Sequence, residues 1–246
     1  MNPTEKLFDN LSLRLLKSGV HSGAYNMARD LRLLKEVSEG HSPEIFCLYT
    51  WHPWCVSLGA HQKDSDIDEK ACFENGFDIV RRPTGGRAVL HADEITYSAV
   101  LKITKERTSH DIYRIIHELL LKALNPLCNN ALDFKKAQTD FKNVYRNSES
   151  SAVCFTSSAR YEVTFQNRKV VGSAQRVFGD YVLQHGSILL GAGHERLAEV
   201  LKAPEEQRKL LKQKILTSSA TLSDVAGRRI LYEECATAIE NVFKTI

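Results

Sequence analysis

Arg81-Arg82-Pro83-Thr84-Gly85-Gly86-Arg87-Ala88-Val89-Leu90-His91 is the stretch around which the rest of the chain can be read. It follows Phe77 to Arg81, an apolar run that reads as a strand. Adjacent glycines permit positive φ and let a ligand come up against the main chain. Arg81, Arg82 and Arg87 flank them with no acid before His91, so the loop favours an anionic group such as phosphate. The plainer alternative is a tight turn whose arginines are solvated. Two nucleotide signatures are excluded: no Gly-x-x-x-x-Gly-Lys-Ser/Thr occurs, and no Gly-x-Gly-x-x-Gly follows a strand.

On the N-terminal side, His21-Ser22-Gly23 precedes a helix in which Met27, Leu31 and Leu34 recur at helical spacing. Ile45 to Tyr49 reads as a strand, Trp51-His52-Pro53-Trp54 as a turn, and Cys55 to Gly59 as the returning partner. On the C-terminal side, Thr96 to Ile103 alternates like a strand. Ser109 is placed to cap a helix with Asp111 in its first turn, and Ile112, Ile115, Ile116, Leu119, Ala123 and Leu127 form its buried stripe. Thr139 to Ser151 is polar and reads as a loop. Tyr161 to Phe165, Gln166-Asn167-Arg168 and Lys169 to Val171 read as a hairpin, and Leu183 to Leu190 as a further strand. From His194 the pattern is helical, closing with Ala236, Ile239, Val242 and Phe243 on one face. Mixed strands with helices at both ends indicate an α+β fold with a helical C-terminal part.

Composition narrows the function classes. The chain has 246 residues, 43% hydrophobic and 26% charged, which is the profile of a folded globular protein. A net charge of +3 demands neither nucleic acid nor membrane. Lys6, Asp9 and Arg14 interrupt any signal-peptide core, and no stretch reaches the roughly 18 uncharged apolar residues of a membrane span. The six cysteines include no Cys-x-x-Cys pair, so free thiols in a reducing cytoplasm are expected.

Cys47, Cys55, Cys72, Cys128 and Cys235 fall in or beside apolar elements and read as packing residues. Cys154 differs. A polar stretch delivers it, and Arg160, Arg168, Lys169 and Arg176 outnumber the single acid Glu162 after it. His52-Pro53-Trp54-Cys55 lacks a companion pair for zinc, and no Gly-x-Ser-x-Gly elbow occurs. Lys202, Arg208, Lys209, Lys212 and Lys214 form a basic helical face that reads as solvated.

These residues resemble a known family. The Arg81–His91 loop is similar to the signature loop of the lipoate–protein ligase and octanoyltransferase superfamily, whose catalytic domain is of biotin/lipoate protein ligase type. Asn26-Met27-Ala28 with Asp30, Val56-Ser57-Leu58-Gly59 with Gln62, Lys169-Val170-Val171-Gly172-Ser173-Ala174-Gln175 and Gln184-His185-Gly186-Ser187 match its other blocks in order. Gly-Gly-Arg-Ala resembles the cysteine-dependent octanoyltransferases rather than the ligases, which usually carry three glycines there. Ala92 and Gly191 stand where the family often has acids.

The resemblance implies a mixed β-sheet flanked by helices, and one catalytic domain over residues 1–246 with its core at about 20–190 and a helical part at about 192–246. It implies octanoyl transfer from octanoyl-acyl carrier protein to a lysine of a lipoyl domain, such as glycine cleavage H protein or a 2-oxoacid dehydrogenase E2. Cys154 is implied as the thioester nucleophile and Lys169 as the amine that lowers its pKa. Arg82, Thr84, Gly85, Gly86, Arg87 and His91 are implied to bind substrate, as are Gly172, Ser173, Ala174, His185 and Gly186. Val89, Leu90 and Val100 are expected to line an acyl tunnel. No metal, cofactor, nucleic acid or membrane is implied, and the setting is cytoplasmic. Two alternatives stay open: a ligase using ATP and magnesium, and a binding module for acyl carrier protein or lipoyl domains that does not turn over.

Overall fold

The computed structural model describes residues 13–134 and 161–245. Cys154, the Thr139–Ser151 stretch and residues 1–12 lie outside them. The first elements are β1 (Arg14–His21), α1 (Gly23–Ser38), β2 (Ile45–Trp51), β3 (Cys55–Leu58), α2 (Glu69–Glu74), β4 (Asp78–Arg81) and β5 (Val89–His91). They are followed by β6 (Glu94–Lys102), α3 (Ser109–Leu124), β7 (Asp133–Phe134), β8 (Val163–Phe165), β9 (Arg168–Lys169), β10 (Val171–Phe178) and β11 (Tyr181–Leu189). A 3-10 segment, His194–Val200, then leads to α4 (Glu205–Ser218), α5 (Leu222–Ala226) and α6 (Tyr232–Phe243).

The main sheet has the order β1-β2-β6-β11-β10, with β1 parallel to β2 and the other pairs antiparallel. Both its faces are covered. Phe46, Leu48, Ile95, Tyr97 and Leu101 pack toward α3 and α6, while Ile45, Cys47, Tyr49 and Val100 pack with Met27, Leu33 and Leu34 of α1. Two-sided burial is why β2 reads as an unbroken apolar run rather than an alternating one. A smaller sheet, β4-β3-β5, packs Val56, Leu58 and Leu90 against Leu197, Leu211 and Ile215 from the C-terminal part.

Two local expectations are corrected. β3 is not the antiparallel partner of β2: β1 and β6 already occupy both edges of β2, so the chain crosses at Trp51–Trp54 into the smaller sheet and β3 pairs with β4 and β5. The cap of α3 is Thr108 rather than Ser109. Its Oγ1 accepts from Asp111 N while the Asp111 carboxylate accepts from Thr108 N, a reciprocal box that satisfies two helix-end donors. The hairpin at 161–171 is present as β8 and β9, with Gln166 and Asn167 in the left-handed region at its tip.

Candidate active site

The Arg81–His91 loop sits at the end of β4, close against β3. An added Cβ at Gly59 would lie 2.0 Å from Gly86 O, and Gly86 has φ of +94°, so this approach needs glycine on both sides. Arg82 is buried and donates to Ser57 O (2.8 Å), Gly85 O (2.9 Å) and Arg87 O (2.6 Å). Arg81 donates to Gly59 O (2.6 Å) and Gln62 O (2.8 Å) and pairs with Asp64. Both guanidiniums bind main-chain carbonyls. Arg87 is half-buried.

Between this loop, the α1 face of the main sheet and β10 lies a pocket of about 460 Å³, part of it open to solvent. Among the expected residues, Arg82, His91, Lys169, Gly172 and Ser173 line it, with Ala174, His185 and Gly186. Thr84, Gly85, Gly86 and Arg87 do not. Met27, Tyr49, Trp51 and Val89 supply apolar wall. Leu90 and Val100 are not in the lining: Leu90 packs in the smaller-sheet core and Val100 under α1.

Two histidines enter the pocket, each backed by a buried carboxylate. His91 Nδ1 is 2.7 Å from Glu94 Oε1, and its Nε2 is 2.7 Å from Ser57 Oγ. Glu94 also accepts from Thr96 (2.5 Å) and Ser187 (2.9 Å), and Trp51 stacks on the His91 ring at 4.1 Å. His185 Nε2 is 2.6 Å from Thr84 Oγ1, and its Nδ1 faces Asp30 Oδ2 at 3.6 Å. Burial pushes His185 below the ordinary imidazole range, so it is neutral at pH 7. Burial alone would raise Asp30. The facing His185, the Arg29 guanidinium and the Ser98 hydroxyl outweigh it and hold the carboxyl below its usual range.

At the β10 side, Ser173 Oγ is within hydrogen-bond reach of Tyr97 Oη (2.6 Å) and His117 Nε2 (2.8 Å). Burial pushes His117 down to about 3, and the nearby charge of Lys169 presses the same way. Lys169 itself sits on β9, opposite Thr164, and its carbonyl accepts from Ala220 N at 2.9 Å. Its Nζ is 2.8 Å from Glu162 Oε1, with both side chains buried. Gly186 faces Ser173 across β10 and β11, where an added Cβ would meet Gly172 O and Ser173 Oγ at 2.5 Å.

Glu94, Glu162, Thr96 and His117 were not singled out as site residues. Only β6 carried a signal: Thr96 and Ser98 stand on one face of an otherwise apolar strand, and that face meets the pocket network. The five described cysteines are buried, as expected of packing residues. Burial raises every one of these thiols, with Cys47, Cys72 and Cys128 pushed up to about 11, so none is poised as a nucleophile. The basic face of α4 is partly paired, Lys209 with Glu205 and Lys212 with Glu199.

The lipoyl protein ligase A/B catalytic domain family matches residues 22–244. The chain belongs to that family. An octanoyltransferase LipM of Lysinibacillus sphaericus is 35% identical to this chain over 233 residues, 93% of this chain and 84% of the relative. A lipoate-protein ligase A bound with ATP shares its fold at a TM-score of 0.66 and 20% identity, covering 95% of this chain and 83% of the other. So does the bi-partite lipoate protein ligase of the Thermoplasma acidophilum lipoylation system, described with its E2 lipoyl domain, at 0.65 and 19%, covering 94% and 82%. The chain is thus an enzyme of the octanoyltransferase kind, with a mixed sheet flanked by helices as the motifs implied.

Proposed function

We propose that the chain moves an octanoyl group from octanoyl-acyl carrier protein to a lysine of a lipoyl-domain protein, through a thioester on Cys154. The observation that carries this reading is the buried amine of Lys169 in the wall of a pocket whose opposite parts are apolar. An acyl chain gains about 0.8 kcal/mol for each methylene it buries, so an apolar cleft of this kind suits a fatty donor. The octanoyltransferase relatives support the acyl group, and the lipoylation system described with its E2 lipoyl domain supports the class of acceptor.

The residue types suit the chemistry. A thioester donor is already activated, so the reaction draws on no nucleotide, metal or cofactor. A thiol of pKa ~8.5 is only about 3% ionised at pH 7. Lowering it by about 1.5 units, worth about 2 kcal/mol, makes half of it thiolate, and the ammonium of Lys169 is the agent. The acceptor lysine poses the reverse problem, since an amine of pKa ~10.4 is neutral in about one molecule in 2,500 at pH 7. Lys169, once it has given up its proton, takes the one that must leave. Main-chain N–H groups near Gly172 offer a place for the developing oxyanion. One catalytic domain in a cytoplasmic setting accords with free thiols and with the lack, among the described residues, of any helix long and apolar enough to cross a membrane.

Incubation with octanoyl-acyl carrier protein and intact-mass measurement is expected to show an octanoyl adduct that hydroxylamine removes and that Cys154→Ala lacks. An adduct that persists in Cys154→Ala refutes the thioester assignment. Lipoate-dependent ATP–pyrophosphate exchange in its place identifies a ligase.

A further inference from the structure

Ser57, His91 and Glu94 stand in series at the pocket wall. Ser57 Oγ is 2.7 Å from His91 Nε2, and His91 Nδ1 is 2.7 Å from Glu94 Oε1. Strand register explains the first contact. Ser57 of β3 pairs with Val89 of β5, so His91, two residues on, shares its face as the diagonal neighbour. Ser57, Val89 and His91 all line the pocket, while Val56, Leu58 and Leu90 pack in the smaller-sheet core. Glu94 follows at the head of β6 and is buried.

The hydrogen bonds have a fixed sense at both ends of the series. Arg82 Nη1 reaches Ser57 Oγ at 3.1 Å, and a guanidinium can only donate, so the hydroxyl keeps its own proton to give, with His91 Nε2 in reach. At the other end Trp51 Nε1 donates to Thr96 Oγ1 at 2.6 Å, and Thr96 and Ser187 both donate to Glu94 Oε1. A buried carboxylate is costly unless it is hydrogen-bonded, and these donors fix Glu94 against the imidazole.

Two other hydroxyl–imidazole pairs border the pocket, and each lacks a part. Thr84, beside His185, does not line the pocket, and Asp30 is 3.6 Å from that ring, beyond hydrogen-bond reach. Ser173 is 2.8 Å from His117 Nε2, but no carboxylate among the described residues pairs with His117. Burial also pushes His117 down to about 3, too low for an effective base at neutral pH. Nucleophile, base and orienting carboxylate come together at Ser57.

We propose that Ser57 is an acyl-accepting nucleophile, with His91 as its base and Glu94 as a positioning residue, which gives the protein a hydrolytic activity toward fatty acyl esters and thioesters. This activity needs neither Lys169 nor a thiol, so it stands or falls apart from the transfer reaction above. Ser57 Oγ forms its bond to the acyl carbon as its proton passes to His91 Nε2. The bond from that carbon to the leaving oxygen or sulfur breaks, and His91 gives the leaving atom the proton. Water then attacks the acyl-serine and passes a proton to His91. The Ser57 Oγ–C bond breaks, Ser57 recovers that proton, and the fatty acid departs, its remaining proton going to solvent. Met27, Tyr49, Trp51 and Val89 give the chain an apolar wall.

The test treats the full chain with a biotinylated alkyl fluorophosphonate, a serine-selective probe, and maps the adduct by peptide mass spectrometry. Octanoate release from p-nitrophenyl octanoate is followed in parallel. The adduct is expected on Ser57, and release is expected to fall in step with labelling. His91→Gln and Glu94→Gln, shown to be folded by thermal melting, should slow labelling by about a hundredfold. Glu94→Asp, which keeps the carboxylate, should recover part of that loss, a rescue that a purely packing role would not produce. Mapping on the parent protein needs no variant, so it remains decisive if a substitution unfolds the chain. The absence of a Ser57 adduct, an adduct on Ser173 in its place, or release that continues once Ser57 is fully labelled overturns the proposal. So does undiminished labelling in folded His91→Gln.

Discussion

Thr84 Oγ1 and His185 Nε2 lie 2.6 Å apart, although 101 positions separate them in the chain. This hydrogen bond ties the glycine loop to the middle of the main sheet. His185 in turn faces Asp30 of α1, so loop, sheet and helix share one buried network. Thr84 is fully buried, and a substitution there acts on the loop's position without removing a pocket-lining side chain. Thr84→Val leaves His185 Nε2 without that partner, an expected cost of about 1–3 kcal/mol. The KM for the acyl donor should rise while kcat changes less, and Thr84→Ser should restore both. Steady-state kinetics with thermal melting check this.

Gly59→Ala tests the close approach of the loop to β3. The new Cβ would stand 2.0 Å from Gly86 O, and backbone, unlike a flexible side-chain tip, has no cheap way to move aside. The strain is expected to cost about 1–3 kcal/mol. Displacing the loop by as much as an ångström can lower activity by up to about a hundredfold. Circular dichroism should show a folded protein with a lower melting temperature. An unchanged kcat/KM would mean that the loop's seat on Gly59 does not matter to the reaction.

Arg82 separates a structural guanidinium from an anion-binding one. It bridges three carbonyls that a lysine ammonium cannot reach together. Arg82→Lys and Arg82→Gln should therefore destabilise the fold to a similar extent, each by about 1–3 kcal/mol for carbonyls left buried and unpaired, and lower the melting temperature alike. Recovery of stability and activity in Arg82→Lys alone would show that the positive charge is what counts.

His117 predicts a pH dependence of stability. Its folded-state value of about 3 lies below the ordinary 6.5, so below pH 6.5 the unfolded chain binds a proton that the folded one refuses. Stability from this group is complete above pH 6.5 and is lost as pH falls toward 3, at up to ~1.4 kcal/mol per unit. His117→Gln, which does not titrate, should flatten the decline in melting temperature between pH 6 and 4. An unchanged slope would show that His117 charges without penalty. His185 is lowered in the same sense and contributes to what remains.

Much of the fold was legible from periodicity, because strand and helix patterns are local properties of the chain. β6 and β11 fall within two residues of where alternation puts them, and the stripe of α3 from Ile112 to Ala123 is buried as its spacing requires. Pairing is not local. Nothing in Ile45–Leu58 reveals that β1 and β6 take both edges of β2, and that occupancy alone sends β3 elsewhere. The pocket was legible to a similar degree. Its motif residues could be named, whereas Glu94 and Glu162 look like ordinary acids until folding removes water from around them.

The sequence by itself determined the family, through ordered blocks from Asn26 to Ser187. Those are matters of residue type and order, which a linear text records in full. Tertiary structure decided the charges. Whether Arg82 meets a ligand or a carbonyl, whether His185 is neutral, and which acid faces Lys169 depend on distances of a few ångströms in a medium of low dielectric, where electrostatic energy is steep in separation.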